Sequence, residues 1–383
     1  MPIEIVARLQ DVDAAAWDRL NRHDYPFLRH AFLVAAEETA CVSPATGWQP
    51  CHLLMRDDEG QLLAAMPLYE KMHSFGEFVF DWAWARAYSQ AGLDYYPKLV
   101  SAVPFTPAGS PRLLCQADLA DTAPRALLDR AIALAKERGA SSLHVQFPHE
   151  DELPVLQQAG LKLRKDCQFH WRNRNYQSFD EFLAQFSSRK RKKVRRDRRA
   201  VSEQGIYFQR LHGNEMSAEL WATVYELISR TFLNRGGMPY YNLDFFMRVA
   251  ASLPANIMVI LAQRQEQHIA AAVFFVSTDT LYGRYWGSDG QHDALHFETC
   301  YYQGIDYCIE HGLQSFEPGT QGEHKVSRGF LPTNTWSAHW LAHDEFFAAV
   351  GQYLKQEQAH VDNYIDDVEA HSPYRRSPDQ EAP

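Results

Sequence analysis

Cysteine is scarce in this chain of 383 residues: there are six, at positions 41, 51, 115, 167, 300 and 308. None is spaced as Cys-x-x-Cys, and no disulfide framework emerges, so a reducing compartment is expected. Long hydrophobic runs are missing as well. The longest, residues 269–276, is far short of the roughly 18 apolar residues that a membrane-spanning helix needs. The opening MPIEIVARLQ lacks the basic region and apolar core of a signal peptide. A cytoplasmic location without a membrane span is therefore expected. Net positive charge is absent too. The balance is −10, which argues against a general nucleic-acid coat.

What is present is an ordinary globular composition, 46% hydrophobic and 22% charged, long enough for two or three domains. Its charge is unevenly placed. Nine of the 38 Lys and Arg fall in residues 189–199 beside one acid, Asp197. A basic patch on an acidic body is a local anion site. On a helix, Arg189, Arg191, Lys192, Arg195, Arg196 and Arg199 take up much of the circumference, with Val194 and Val201 at the inward edge. Arginine forks match phosphate oxygens, so these six are the candidate phosphate anchor. The plainer alternative is a solvated helix face.

Residues 281–330 organise the rest. Here 281–287 reads as a strand, 293–311 as a helix stopped by Gly312, and 313–317 as a parallel strand. Ligands collect where the strands of such a unit end. Phe297, Tyr301, Tyr302, Ile305, Cys308 and Ile309 form the apolar face of the helix, and Thr299, Gln303, Asp306 and Glu310 the polar one. Glu298 falls on the apolar face, where a carboxylate must cap the first turn, be paired, or stay partly protonated for chemistry.

Along the chain, hairpins are expected at 52–69 and 257–277, and a long helix over 344–369, followed by a disordered tail. The hairpin GQLLAA recurs as EQHIAA and the helix end ERG as EHG, in the same order, which points to a diverged duplication. The first copy carries extra aromatic-rich chain around 73–120. The domain expectation is 1–172, then 173–343, with a separate helix over 344–370 and a tail over 371–383.

The second copy runs strand, two helices, three antiparallel strands, helix, parallel strand, and this order resembles the GNAT acyltransferase fold. The resemblance implies an α/β architecture of two tandem GNAT-like domains, with mixed sheets flanked by helices. The segments CVSPATGWQPCHL, SRKRKKVRRDRR, HFETCYYQGIDYCIEHG and FEPGTQGEHKVSRGF resemble a Fem-like bacterial family labelled peptidoglycan biosynthesis or recognition. Fem proteins transfer amino acids from aminoacyl-tRNA to cell-wall precursors. The implied function is thus N-acyl or aminoacyl transfer to an amine, with charged tRNA or acyl-CoA as co-substrate. GNAT enzymes carry an R/Q-x-x-G-x-G/A loop for the pyrophosphate of acetyl-CoA. The equivalent stretch, 288–295, has only Gly290, which disfavours that donor. The alternatives are a non-catalytic recognition protein binding a phosphate-bearing ligand or RNA, and an acetyl-CoA enzyme with an unorthodox loop.

An amine-acylating site needs a base, donors for an oxyanion and an anchor for the donor's phosphates. Glu298, Glu323 and His324 are the base candidates, and Lys325 and Arg328 the anion stabilisers. Arg284 and Trp286, expected to alternate with Tyr282 on one strand face, would line the cleft with His296, Glu317 and Arg328. His292, His296, His324, His339 and His343 form no complete ligand set, so no metal is expected. Cys300 with His296 reads as a buried thiol before it reads as a nucleophile.

Overall fold

Apolar segments on either side of a tight turn build a hairpin twice. His52–Arg56 pairs antiparallel with Leu62–Met66, and Ile257–Arg264 with Gln267–Val276. These strands are buried almost throughout, as strands covered on both faces must be. The computed structural model describes residues 1–320 and 322–375. Within it the chain divides into two units, Met1–Asp166 with Asn334–Asp362, and Cys167–Thr333 with the chain from Asn363.

In the first unit, one sheet orders Ile3–Val6, His52–Arg56, Leu62–Met66 and Leu114–Cys115. A second brings together Ser142–Gln146, Lys98–Ser101, Tyr69–Lys71 and Trp48–Pro50. Lys98–Ser101 and Ser142–Gln146 run parallel, in the register Leu99↔Leu143, Val100↔His144 and Ser101↔Val145. Helix Ala123–Glu137 packs Leu127, Leu128, Ala131 and Leu134 into the core that holds Leu99, Leu143 and Val145. The parallel strand Lys98–Ser101 thus lies inside the aromatic-rich stretch expected to be an insertion. That stretch is part of the repeat, extended by helix Trp82–Gln90.

The second unit follows the order read from the sequence. Strand Tyr207–His212 leads to helices Ala218–Leu233 and Leu243–Ser252. The antiparallel strands Ile257–Arg264, Gln267–Val276 and Thr280–Ser288 come next, then a helical stretch from Leu295 to Glu310, and Ser315–Glu317 in parallel to Thr280–Ser288. Gly287 lets a helix lie directly on the sheet, since a Cβ there would meet Leu227 O at 1.8 Å. The same plan in both units is the tandem GNAT-like α/β fold.

The domain boundaries differ from the expected ones. Residues 334–362 return to the first unit, because Ser337–Leu341 pairs antiparallel with Ser142–Gln146. Helix Asp344–Glu369 follows, burying Val350 and Leu354 beside Trp84 and Tyr88 and pairing Glu357 with Arg164 at 2.7 Å. It is therefore not a separate appendage. The expected disordered tail is anchored at its start. Tyr374 bridges Phe186 and donates to Gly329 O at 2.9 Å, while residues 376–383 lie outside the described residues.

Candidate functional site

The parallel pairing in the second unit is brief: Thr280↔Ser315, Leu281↔Phe316 and Tyr282↔Glu317, and nothing beyond. One strand runs on to Ser288 while its neighbour ends at Glu317. Past the last pair, Pro318 still lies close to Gly283, where a Cβ would stand 3.3 Å from Pro318 Cα. A bulge reinforces the split. Val273 pairs with Tyr285 and Phe274 with Gly283, leaving Arg284 outside the register. Bulges bend a strand and re-aim its side chains. The expected alternation of Tyr282, Arg284 and Trp286 on one face is broken as a result. Trp286 stands 5.3 Å from the His296 ring, whereas Arg284 shares the surroundings of Tyr285 and Tyr241.

Three ionisable groups gather where the strands part. Burial raises the Glu317 carboxyl to about 7, against the pull of Arg172 and Arg284, although 16% of its side chain still meets solvent. His170 Nδ1 lies 4.0 Å from Glu317 Oε1 and has no hydrogen-bond partner among the described residues. Burial holds this imidazole neutral, with a pKa of about 3. Lys325 is buried in the short helix Glu323–Arg328, donates to Gly319 O at 2.5 Å, and is brought down to about 7 by burial. Glu317 and Lys325 were legible as polar residues at a strand end. His170 was not, because it belongs to a strand distant in sequence.

Beside them is a cluster of rings. His324 Nε2 is 2.9 Å from the Tyr301 hydroxyl, and the His296 ring is 5.3 Å from that of Tyr301. Burial, with the His324 imidazole, Arg328 and Lys325 near it, lowers His296 to about 4. Arg328 is spoken for. Its guanidinium lies 3.3 Å from the Phe297 ring centre and donates to His324 O at 2.7 Å and Asp197 Oδ2 at 3.3 Å. Tyr302 donates to the same carboxylate at 3.0 Å. Asp197, the lone acid of the basic stretch, thus ties that helix to the loop of His324 and Lys325. Glu323 is exposed and accepts from Tyr364 at 3.0 Å.

Glu298 is elsewhere. Residues Glu298–Tyr302 form a π turn, and the Glu298 side chain caps nothing. Its Oε1 receives Gln303 Nε2 at 2.8 Å and Arg198 at 3.1 Å, and Arg198 also holds Asp306 at 2.7 Å. Burial raises its carboxyl, and Oε2 is left buried without a donor among the described residues. The π turn also shifts the helix phase, so Thr299, expected on the polar face, is buried and donates to Leu295 O at 2.9 Å.

The basic stretch is a helix, Ser188–Glu203, with Val194 and Val201 buried. Its inward arm is Arg198. Arg189, Lys192, Arg196 and Arg199 are exposed, Arg191 is half-buried, and Arg195 is paired with Asp180 at 2.9 Å. Among the described residues no group of three His, Cys, Asp or Glu could hold a metal ion. The late histidines are split between units. His292 is bound to Asp289 at 2.7 Å, and His339 faces His144 in the first unit at 2.6 Å. Burial pushes the Cys300 thiol well above its ordinary range, against a role as thiolate nucleophile. No described helix is long and apolar enough to cross a membrane.

A repeated GNAT-like unit, split at one parallel strand pair, defines the class. The family model FemAB-like, described as peptidoglycan biosynthesis/recognition, matches residues 8–376, and the chain belongs to that family. No curated protein matches the sequence. Among solved structures the chain is similar in fold to the C-terminal domain of a putative lysylphosphatidylglycerol synthetase from Agrobacterium fabrum. The TM-score is 0.53 at 10% identity, over 89% of this chain and 96% of that one. It is also similar to FemX, with a TM-score of 0.51 at 14% identity, over 87% and 98%. L-PGS from Bacillus licheniformis gives 0.51 at 10% identity, over 84% and 96%.

Proposed function

We propose that the second unit transfers an aminoacyl or acyl group to an amine, with Glu317 as general base. The observation that carries this is the position of Glu317, the last residue of a parallel pair that then opens, with its pKa raised to about 7 by burial. A base poised near neutrality can take the proton of an attacking ammonium. The amine nitrogen then bonds to the carbonyl carbon, and the bond from that carbon to the donor's oxygen or sulfur breaks, the proton passing to the leaving group. Lys325, in its protonated form, stabilises the oxyanion. Arg328 and Asp197 position the Lys325 loop, and His170 stands behind Glu317.

Glu317 replaces Glu298, Glu323 and His324 as the favoured base. Glu298 is committed to Arg198, Glu323 to the surface, and His324 to Tyr301. The exposed arms of the basic helix, Arg189, Lys192, Arg196 and Arg199, suit the phosphates of a charged tRNA in the cytoplasm better than acetyl-CoA. The loop after Ser288 offers no glycine-spaced amides and carries the Asp289–His292 pair where a pyrophosphate would sit. The name lysylphosphatidylglycerol synthetase agrees with transfer of an aminoacyl group, and the family description agrees with a cell-wall precursor as acceptor. The test is transfer of labelled amino acid from a charged tRNA pool to nucleotide-linked muropeptides. Product that disappears in Glu317→Gln supports the reading. Equal turnover by that variant would sink Glu317 as the base, and micromolar acetyl-CoA binding by calorimetry would sink the preference for a charged-tRNA donor.

A further inference from the structure

One face of the first unit's second sheet is polar and yet buried. Lys71 stands opposite Lys98, His144 opposite His339, and Gln146 opposite Ser337. All six are fully buried or nearly so. The other face carries the apolar core of Leu99, Leu143 and Val145. Burying charges costs several kcal/mol for each unless partners satisfy them, so their hydrogen bonds reveal what the site is built for.

Segment 72–81, which belongs to no strand or helix, covers this face and brings two carboxylates to it. Lys98 Nζ donates to Glu77 Oε2 at 2.9 Å, to Ser74 Oγ at 2.8 Å, and to Asp81 Oδ2. Tyr95 donates to Asp81 Oδ2 at 2.7 Å, and Gln146 Nε2 to Glu77 Oε2 at 2.6 Å. All these bonds fall on one oxygen of each carboxylate. Glu77 Oε1, Asp81 Oδ1 and Gln146 Oε1 are buried with no donor among the described residues.

Three acceptors in one network lacking a donor describe the ligand by complement. It must bring N–H groups. A cationic donor suits the place, because Glu77 and Asp81 share the single Lys98 ammonium, and burial raises the Glu77 carboxyl. Lys71 donates to Phe75 O at 3.1 Å and lies 3.7 Å over the Trp48 ring, and burial lowers it to about 7, so its charge is partial. The place is also the expected one. Gln146 is the last residue of a strand parallel to Lys98–Ser101, at the end where ligands bind in such units.

We propose that the first unit holds a second ligand site, in which Glu77 Oε1, Asp81 Oδ1 and Gln146 Oε1 receive a protonated primary amine. The site is independent of the acyl-transfer reading and of Glu317. Segment 72–81 carries Glu77 and Asp81, so entry requires it to lift from Lys71 and Lys98 and to close again over the ligand; this breaks no sheet ladder.

Calorimetry on the full chain tests it, with n-butylammonium chloride against tetramethylammonium chloride, which has the charge but no N–H. Wild type should bind the first and not the second. Glu77→Gln and Gln146→Met, each checked for folding by thermal melting, should weaken binding roughly tenfold or more. Glu317→Gln should leave it unchanged. Crystals of the wild type soaked with n-butylammonium should show its nitrogen on the three oxygens. Absence of binding, equal binding of tetramethylammonium, unaltered affinity in both folded variants, or ordered water alone in the soaked crystals would each overturn the site.

Discussion

Two buried carboxylates, Asp81 held against the first residue of a parallel-paired strand and Glu317 the last residue of another, have opposite fates. In the first unit Asp81 is buried, which alone would raise its pKa, but Lys98 beside it prevails and holds it down at about 2. In the second, Glu317 is buried among more distant cations, and desolvation prevails, raising it to about 7. The fold is the same plan twice. What differs is whether a cation is close enough to repay desolvation. A buried acid in contact with its lysine is locked in one charge state and serves structure or binding. An acid whose cations stand off can exchange a proton near neutral pH.

Exchanging the two acids' roles is the strongest way to break the comparison. Glu317→Gln should cut turnover by roughly 10²–10⁴ with affinity little changed. Asp81→Asn should spare turnover and cost stability instead, about 1–3 kcal/mol by denaturant titration, because Lys98 loses one of its two buried carboxylate partners and keeps Glu77. Similar behaviour of the two variants would erase the distinction.

Next in size is the basic helix. Replacing Arg189, Arg196 and Arg199 by Gln removes three exposed cations, so tRNA affinity should fall on the order of 10-fold to 100-fold. The slope of log affinity against log salt should flatten by about two, and an unchanged slope would return the helix to a solvated face.

The pH profile sharpens the comparison further. Glu317 must be deprotonated, so rate should rise with pH through about 7; Lys325 must be protonated, so rate should fall again above about 7. The optimum is therefore narrow and near neutrality, and Glu317→Gln should abolish the rising limb. A flat profile between pH 6 and pH 8, values about one unit either side of neutrality, would dissociate both groups from the rate.

Asp197→Asn addresses position rather than chemistry. The carboxylate holds Arg328 and Tyr302, so its loss should lower kcat about tenfold while leaving donor affinity nearly intact. A change in affinity alone would make it part of the anion surface. The smallest effect is expected at Glu298. Since Arg198 keeps Asp306, Glu298→Gln should leave turnover within about twofold and alter stability by only about 1 kcal/mol. A collapse in turnover would restore Glu298 as the base.

By itself the sequence determined the repeat, the order of elements in the second unit, the basic helix and the loop of His324 and Lys325. All of these follow from local signals: apolar periodicity, turn residues, and charge counted along the chain. Glu298 was legible too, as a carboxylate on an apolar helix face. Its partner was not, because Arg198 lies about a hundred residues away in sequence, and a π turn over Glu298–Tyr302 alters the phase of the helix that carries Glu298. Tertiary structure alone decided that Asn334–Asp362 belongs to the first unit, since strand Leu331–Leu341 finds its antiparallel partner in Ser142–Gln146, far earlier in the chain. It alone brought His170 to Glu317 and set Lys98 between Glu77 and Asp81. The physical reason is common to all three. Periodicity says which side of an element is buried, but the pKa of a buried group depends on which charges meet it there, and those come from distant strands.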